Sequence, residues 1–484
     1  QALYEALLMK NKLTHHLLLV SDSCENLYKI LIENYIKNAN LDRQNLLETE
    51  AKLVEEDKLS ALAEEITAQT ETQEDEVGEI TGAAADIDEL EIIQKPELTP
   101  DILLEDFKPQ SPIVDSMRTA LFDNPEIDKS IWNELSIWNR SFAKRIKTSS
   151  VAIVPERDEY KFRYILQKDK NAPLIILYPS IGEGYNTHHS TVFAKMFFDE
   201  GYSIVMLGSH FHWEFVRSMP EGYCPGIPSQ DADNIKLVTH KILDKLENKY
   251  ECKFDEKIII GTSFGALSSL FVAEKESKNN TLGITKYIAI SPPVELVYAV
   301  EQLDKNSDEL DNNSPEVKHK TAVTAAKILQ ITKMKENNPD MNISALPFTE
   351  QEGKLITTFL LRQKLSDLIF TIENIAKGQK TDIYEAINNM SYRDYVEKYL
   401  LNGSSLENMR YETSLYSLAD YLVNNDNYRI YHSPDDFFAT EGQIKRLKTL
   451  AGKHLVCVSN GSHLGFLYRK EFQEALKADV LGKI

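Results

Sequence analysis

One serine stands between two glycines in Gly261-Thr262-Ser263-Phe264-Gly265. The run before it, "KIIIG", is made of β-formers, and the run after it, "FGALSSLFVAEKE", has the apolar spacing of a helix. A serine hydroxyl becomes a useful nucleophile only when it is exposed, given a base and faced by donors for the oxyanion it creates. A sharp strand-to-helix turn supplies the exposure. It bends the chain so tightly that the neighbours two positions away must be small. Gly261 and Gly265 meet that demand, and Ala266 is small too. The Phe264 amide opens the helix and is placed to meet developing negative charge.

The base is expected on a loop after the last strand. "KHLVCVSNGSHLGFL" offers His454 and His463. His454 sits where the strand begins, on the wrong edge of a sheet. His463 follows the strand's end among turn residues, which favours it as general base. The acid is expected at the end of the preceding strand, where "YRIYHSPDDFF" presents Asp435 and Asp436. Asp436 is preferred and Asp435 is the alternative. Its task is to hold the imidazole in one tautomer and stabilise the imidazolium. The order Ser263, Asp436, His463 is the order nucleophile, acid, base. A serine, histidine and carboxylate working together need no metal and no cofactor.

Three compositional regions carry these residues. Residues 1–125 begin with helical spacing in "LYEALLMKNKLTHHLLLVSD" and "ENLYKILIENYIKNA". An acidic stretch follows at about 48–106, with Lys52, Lys58 and Lys95 its only basic residues. It reads as a solvated linker, and the helices before it offer a surface for a protein partner. Residues 126–294 alternate strands and helices, residues 295–427 read as helices only, and residues 428–484 resume the alternation. Continuous apolar strands between helices predict a mainly parallel sheet covered on both faces, an α/β fold with a helical insertion. Deleting residues 1–125 discriminates between an enzyme and a binding module, since retained ester hydrolysis with lost association would assign the two roles to separate parts.

In its motifs the chain resembles the α/β-hydrolase family over roughly residues 148–484, with the helical block as an insertion. "GTSFGA" is similar to the family's nucleophile motif. "HSPDDFF" is similar to its H-G-x-x-D segment, which places the acid on Asp436. "GSHLGF" is similar to the G-G-H-x-G-F ending of some bacterial members. The resemblance implies an α/β-hydrolase fold and a serine hydrolase, most often an esterase, lipase or peptidase. It also implies that the helical insertion is a lid over the nucleophile. Phe359, Leu360, Leu361, Phe370 and Ile375 would give that lid an apolar underside, which favours a lipid-like acyl group, or they would pack its own core. One departure stands out. The family has His-Gly after its third strand, and this chain has Pro179-Ser180 in "LYPSIGEGYN". The second oxyanion donor is then expected from the amide of Ile181, next to Gly182. A hole completed only on substrate binding fits the same departure.

Other readings are weaker. A peptidase or an acyltransferase would use the same three residues, and a non-catalytic binding module would keep them unused. His188, His189, His210 and His212 suggest a metal, but no carboxylate stands at a convincing spacing. The "SHFHWEFV" loop is a better candidate for lining a substrate pocket, since loops at the carboxyl ends of parallel strands line the site. The net charge of -21 excludes a nucleic-acid partner, which needs clustered Lys and Arg. The four cysteines, Cys24, Cys224, Cys252 and Cys457, form no C-x-x-C pair. No apolar run is long enough to span a membrane. The chain opens on Gln1, as expected if a preceding segment was removed, and both a cytoplasmic and an exported soluble protein fit. Asn342-Ile343-Ser344 and Asn402-Gly403-Ser404 match the glycosylation pattern, which recurs by chance.

Overall fold

A computed structural model describes residues 98–121, 142–308, 345–374, 386–387, 389–401 and 405–482, with a few positions between 314 and 328. The N-terminal helices, most of the acidic stretch, both glycosylation patterns and Ile375 lie outside the described residues.

Eight strands form one sheet in the order β1-β2-β4-β3-β5-β6-β7-β8. They are β1 (Lys147–Val151), β2 (Tyr160–Ile165), β3 (Leu174–Tyr178), β4 (Ser203–Met206), β5 (Lys257–Thr262), β6 (Lys286–Ile290), β7 (Tyr428–His432) and β8 (Leu455–Cys457). β2 runs antiparallel to both neighbours, and every other pair is parallel. This is the α/β-hydrolase arrangement, with the mainly parallel sheet that the apolar strands require.

The helices labelled here are α1 (Pro112–Met117), α2 (His188–Asp199), α3 (Trp213–Ser218), α4 (Pro228–Tyr250), α5 (Phe264–Lys278), α6 (Leu296–Asp308), α7 (Glu350–Ile372), α8 (Glu441–Ala451) and α9 (Lys470–Val480). Side chains alternate along a strand, so β3 feeds two cores. Leu174, Ile176 and Tyr178 join Ile235 and Val238 of α4 and Leu267 and Leu270 of α5 on one face. Ile175 and Leu177 join Phe193 and Phe197 of α2 and Phe472 and Leu476 of α9 on the other. Both faces are covered, which is why β3, β4, β5 and β6 show no polar alternation, whereas β2 near the sheet edge alternates.

The register sets where the loops emerge. Tyr178 pairs with Gly261, Ile290 with Thr262, Tyr431 with Ile290 and Cys457 with His432. The loops after β3, β5, β7 and β8 therefore leave the same edge side by side. At that edge the backbones come very close. A Cβ on Gly261 would stand 2.5 Å from the Gly265 carbonyl oxygen, and one on Gly265 would stand 2.3 Å from the Pro179 oxygen. Backbone cannot yield as a flexible side chain can. Gly265→Ala is expected to cost on the order of 3 kcal/mol or more by overpacking. A denaturant midpoint close to wild type would contradict this packing.

Between β6 and β7 the chain forms α6, α7 and shorter helices, including Tyr392–Tyr395 and Leu406–Glu412. Thr349 and Glu352 close a reciprocal capping box at the start of α7. α7 packs against α3, α6 and α1. Its half-buried residues include Phe359, Leu360, Leu361 and Phe370; Leu361 and Phe370 pack on the larger core.

Residues 98–106, grouped by composition with the linker, run beside β8. The amides of Asp101 and Ile102 both donate to the Cys457 oxygen, at 2.8 and 3.0 Å, and Ile102 bridges Val458 in parallel. α1 follows, with a buried Asp115–Arg118 ion pair at 2.8 Å. Burial raises the Asp115 carboxyl above its ordinary value despite the Gln110 amide and the Arg118 charge. Among the described residues Cys224, Cys252 and Cys457 are free thiols. Among them too, no helix is long and apolar enough to cross a membrane.

Candidate active site

Ser263 sits between β5 and α5 with φ 51° and ψ -120°, a conformation that non-glycine residues rarely adopt. Its amide donates to the Ile290 oxygen at 2.8 Å, and its carbonyl accepts from the amides of Ala266 and Leu267. The strain is held by the strand on one side and the first helical turn on the other.

His463 lies on the loop after β8, and its Nε2 is 2.7 Å from the Ser263 Oγ. Its Nδ1 is 2.9 Å from Oδ2 and 3.2 Å from Oδ1 of Asp436, on the loop after β7. An ionised carboxylate only accepts, so the proton belongs on Nδ1 and Nε2 accepts from the serine hydroxyl. The three residues are 6%, 8% and 4% exposed in the order Ser263, His463, Asp436, so the chain is dry. Burial by itself pushes the Asp436 carboxyl up. The charge and hydrogen bond of His463, the nearby His432 and the Phe438 amide outweigh it and hold the carboxyl below its ordinary value. The Phe438 ring stands edge-on to the imidazole, centroids 4.6 Å apart.

Asp435 is placed differently. It accepts from the Ser433 hydroxyl and, at 2.9 Å, from the Ser462 amide, so it braces the loop that carries His463. His454 is at the far end of β8, where Nε2 meets Asp426 at 2.9 Å.

The loop after β3 is a turn. The Glu183 amide donates to the Ser180 oxygen at 3.2 Å, and Gly182 has φ +64°, the pattern of a type II turn. The Ile181 amide finds no acceptor among the described residues. The Phe264 amide is the first of its helix and has no intrahelical acceptor. The Ser180 hydroxyl is 3.2 Å from the Thr262 hydroxyl, which ties the turn to the residue before Ser263.

The four histidines take structural partners. His189 Nε2 is 3.2 Å from Glu183 and 3.3 Å from the Thr262 hydroxyl. His210 stacks on Phe264 at 4.6 Å, with Nε2 3.3 Å from Asp231 but outside hydrogen-bond geometry. His212 accepts the Glu214 amide at the start of α3. Burial, then the Lys364 charge, lowers its pKa to about 3, so it is neutral. His188 opens α2. Among the described residues no group of three or more His, Cys, Asp or Glu is arranged to hold a metal. The "SHFHWEFV" segment turns into α3 rather than staying extended, and Phe211 packs against Phe264, Tyr392 and Tyr395.

Two neighbours of the site were not singled out from the sequence. The Ser116 hydroxyl of α1 accepts the His463 amide at 3.0 Å and lies 3.2 Å from the Ser462 hydroxyl. Gly465 lets α1 approach, since a Cβ there would be 1.9 Å from the Asp115 oxygen. A cut at 125 therefore removes a support of the histidine loop as well as the linker. Ser116→Ala is expected to lower kcat about fivefold with little change in KM, because one hydrogen bond of about 1 kcal/mol steadies the loop. An unchanged kcat would separate α1 from the chemistry. The second neighbour is Lys364, on α7. Nothing in the sequence singles it out, since it stands in the polar run Arg362-Gln363-Lys364.

No family model and no curated protein matches the chain. Solved structures align with it at low identity and low TM-score. An esterase from Pyrococcus furiosus is 12% identical, with a TM-score of 0.37, covering 70% of this chain and 89% of its own. A proline iminopeptidase-related protein from Thermus thermophilus is 14% identical, with a TM-score of 0.36, covering 70% and 98%. A serine hydrolase from the hydrocarbon-degrading bacterium Cycloclasticus zankles is 14% identical, with a TM-score of 0.36, covering 70% and 99%. The fold class rests on this chain's own strand order.

Proposed function

We propose that the protein is a serine hydrolase of carboxylic esters with an apolar acyl group. The observation that carries this reading is the buried hydrogen-bonded line from Asp436 through His463 to the strained Ser263. Ser263 Oγ attacks the ester carbonyl carbon while His463 Nε2 takes its proton. The carbonyl oxygen becomes an oxyanion, met by the amides of Phe264 and Ile181, with Gly182 shaping the turn. The intermediate collapses, the C–O bond to the alcohol breaks, and His463 gives its proton to the leaving oxygen. Water then attacks the acyl-enzyme by the same steps and frees Ser263. Asp436 keeps the imidazole oriented throughout.

The block between β6 and β7 serves as the lid in this reading. Phe211 packs against Phe264, and Tyr392 and Tyr395 of that block pack against Phe211. This aromatic pack supports an apolar acyl group over a charged one. The test is labelling of native protein with a fluorophosphonate probe, followed by a chain-length series of esters. Labelling that needs both the native fold and Ser263, with turnover rising as the acyl chain lengthens, is expected. Folded protein that neither labels nor turns over any ester would overturn the reading in favour of a binding module.

A further inference from the structure

Lys364 is a buried cation on α7, and it reaches out of the helical block into the turn after β3. Its Nζ donates to the Ile181 carbonyl oxygen at 3.0 Å and stands 3.8 Å from Oε1 of Glu183. Its methylenes lie over Gly182, where a Cβ would come within 2.7 Å of the Lys364 Cβ. Glu183 uses its other oxygen inside the turn, accepting the Ser180 amide at 3.1 Å and facing His189 Nε2 at 3.2 Å. Two ends of one peptide segment are thus gripped from different elements.

The geometry of a type II turn gives this grip a consequence. Types I and II differ by a half-rotation of the central peptide, which here joins Ile181 to Gly182. The Lys364 bond fixes the direction of the Ile181 carbonyl and, through the same rigid plane, that of the Gly182 amide. The Ser180 carbonyl is already committed to the Glu183 amide, which turns the Ile181 amide outward from the turn. Of the bonds that fix the turn, the one from Lys364 comes from a helix that is not part of the sheet.

We propose that Lys364 is a positioning residue that holds the 180–183 turn in its oxyanion-donating form, so that docking of α7 on the sheet edge completes the oxyanion hole. The inference rests on the reading of Ser263 as a nucleophile. It gives the Pro179-Ser180 departure a physical account. The turn lacks a His-Gly frame of its own and borrows a support from the block above it. When α7 lifts, Ile181 loses its partner and Glu183 loses a neutralising charge, so the turn that carries the Ile181 amide is held by fewer bonds.

The test compares wild type, Lys364→Met and Lys364→Arg in the full chain. Methionine keeps the length and apolar stem but donates nothing, while arginine keeps the charge and a donor. Lys364→Met is expected to lower kcat on the order of a hundredfold, the effect of losing one oxyanion donor, with KM within about threefold of wild type. Lys364→Arg is expected to recover most of that loss. Hydrogen exchange followed by mass spectrometry should show faster exchange in peptides spanning 179–185 in Lys364→Met, with β5 unchanged. If the methionine variant fails to fold, Lys364→Leu, which also donates nothing, takes its place with the same expectations. Wild-type kcat in the folded variant, or a loss confined to KM, would overturn the proposal. If wild type itself neither labels nor hydrolyses esters, the hydrolase reading fails separately. The exchange result then decides whether Lys364 holds the turn, and unchanged protection there would overturn that too.

Discussion

His463→Ala is expected to lower kcat by on the order of a millionfold while the protein stays folded. Without the imidazole the Ser263 hydroxyl has no acceptor for its proton, and a neutral alcohol attacks an ester very slowly. What remains should come from the amides of Phe264 and Ile181 and from binding, about a thousandfold over water. The fold should survive because the loop is held by its backbone rather than by the ring. The His463 amide bonds to Ser116, the Ser462 amide to Asp435, and Phe466 is fully buried beneath. The loss should also match that of Ser263→Ala, and the double variant should lose little more, because the two act as a unit. The measurement is kcat on the best ester of the series, with thermal unfolding run in parallel. Turnover near wild type in folded His463→Ala would remove the histidine from the mechanism. Additive losses in the double variant would mean that serine and histidine do not share a proton.

The residues of this site differ in how far the sequence reveals them, and the difference has a cause. Ser263 announces itself locally, because the tight turn demands Gly261 and Gly265 within two positions of it. His463 and Asp436 are marked by turn residues at strand ends, and parallel register then brings those ends to one edge. Asp435 and Asp436 could not be separated by spacing alone. The structure separates them, since one carboxylate meets the imidazole and the other takes the Ser462 amide. Lys364 and Ser116 carry no such local mark. Lys364 lies 183 positions from the carbonyl it meets, and Ser116 lies 347 from the amide it accepts. Those contacts depend on where a helical block and an N-terminal segment dock, which strand and helix periodicity does not encode. The same limit explains residues 98–106. Acidic composition reads as a linker, while the backbone bonds from Asp101 and Ile102 to Cys457 are blind to side-chain type. The segment of His210 and His212, read as a pocket-lining loop, turns into α3.

Asp436→Asn should separate orientation from proton transfer. An amide of the same shape can offer its NH₂ to Nδ1, which drives the imidazole proton onto Nε2. Nε2–H then points at the Ser263 hydroxyl and can no longer accept from it. The expected loss in kcat is about 10⁴-fold, with KM close to wild type, since nothing that holds the substrate has moved. The same variant tests the electrostatics. The folded Asp436 carboxyl lies below its ordinary value, because His463, His432 and the Phe438 amide outweigh burial. A depressed carboxyl stabilises the fold above its unfolded value of about 3.9 and loses that contribution as pH falls toward the folded value. Wild type should therefore lose this part of its stability only below about pH 4, and Asp436→Asn should show no such component. The stability gap between the two should narrow as the solution is acidified through that window. Denaturant midpoints at pH 7 and pH 3.5 measure it. A gap that widens on acidification would mean that burial wins and that Asp436 is held protonated. Such a carboxyl could not orient the imidazole as an ion, and His432, 3.9 Å from its Oδ2, would be the group to examine as the charge that fails to compensate.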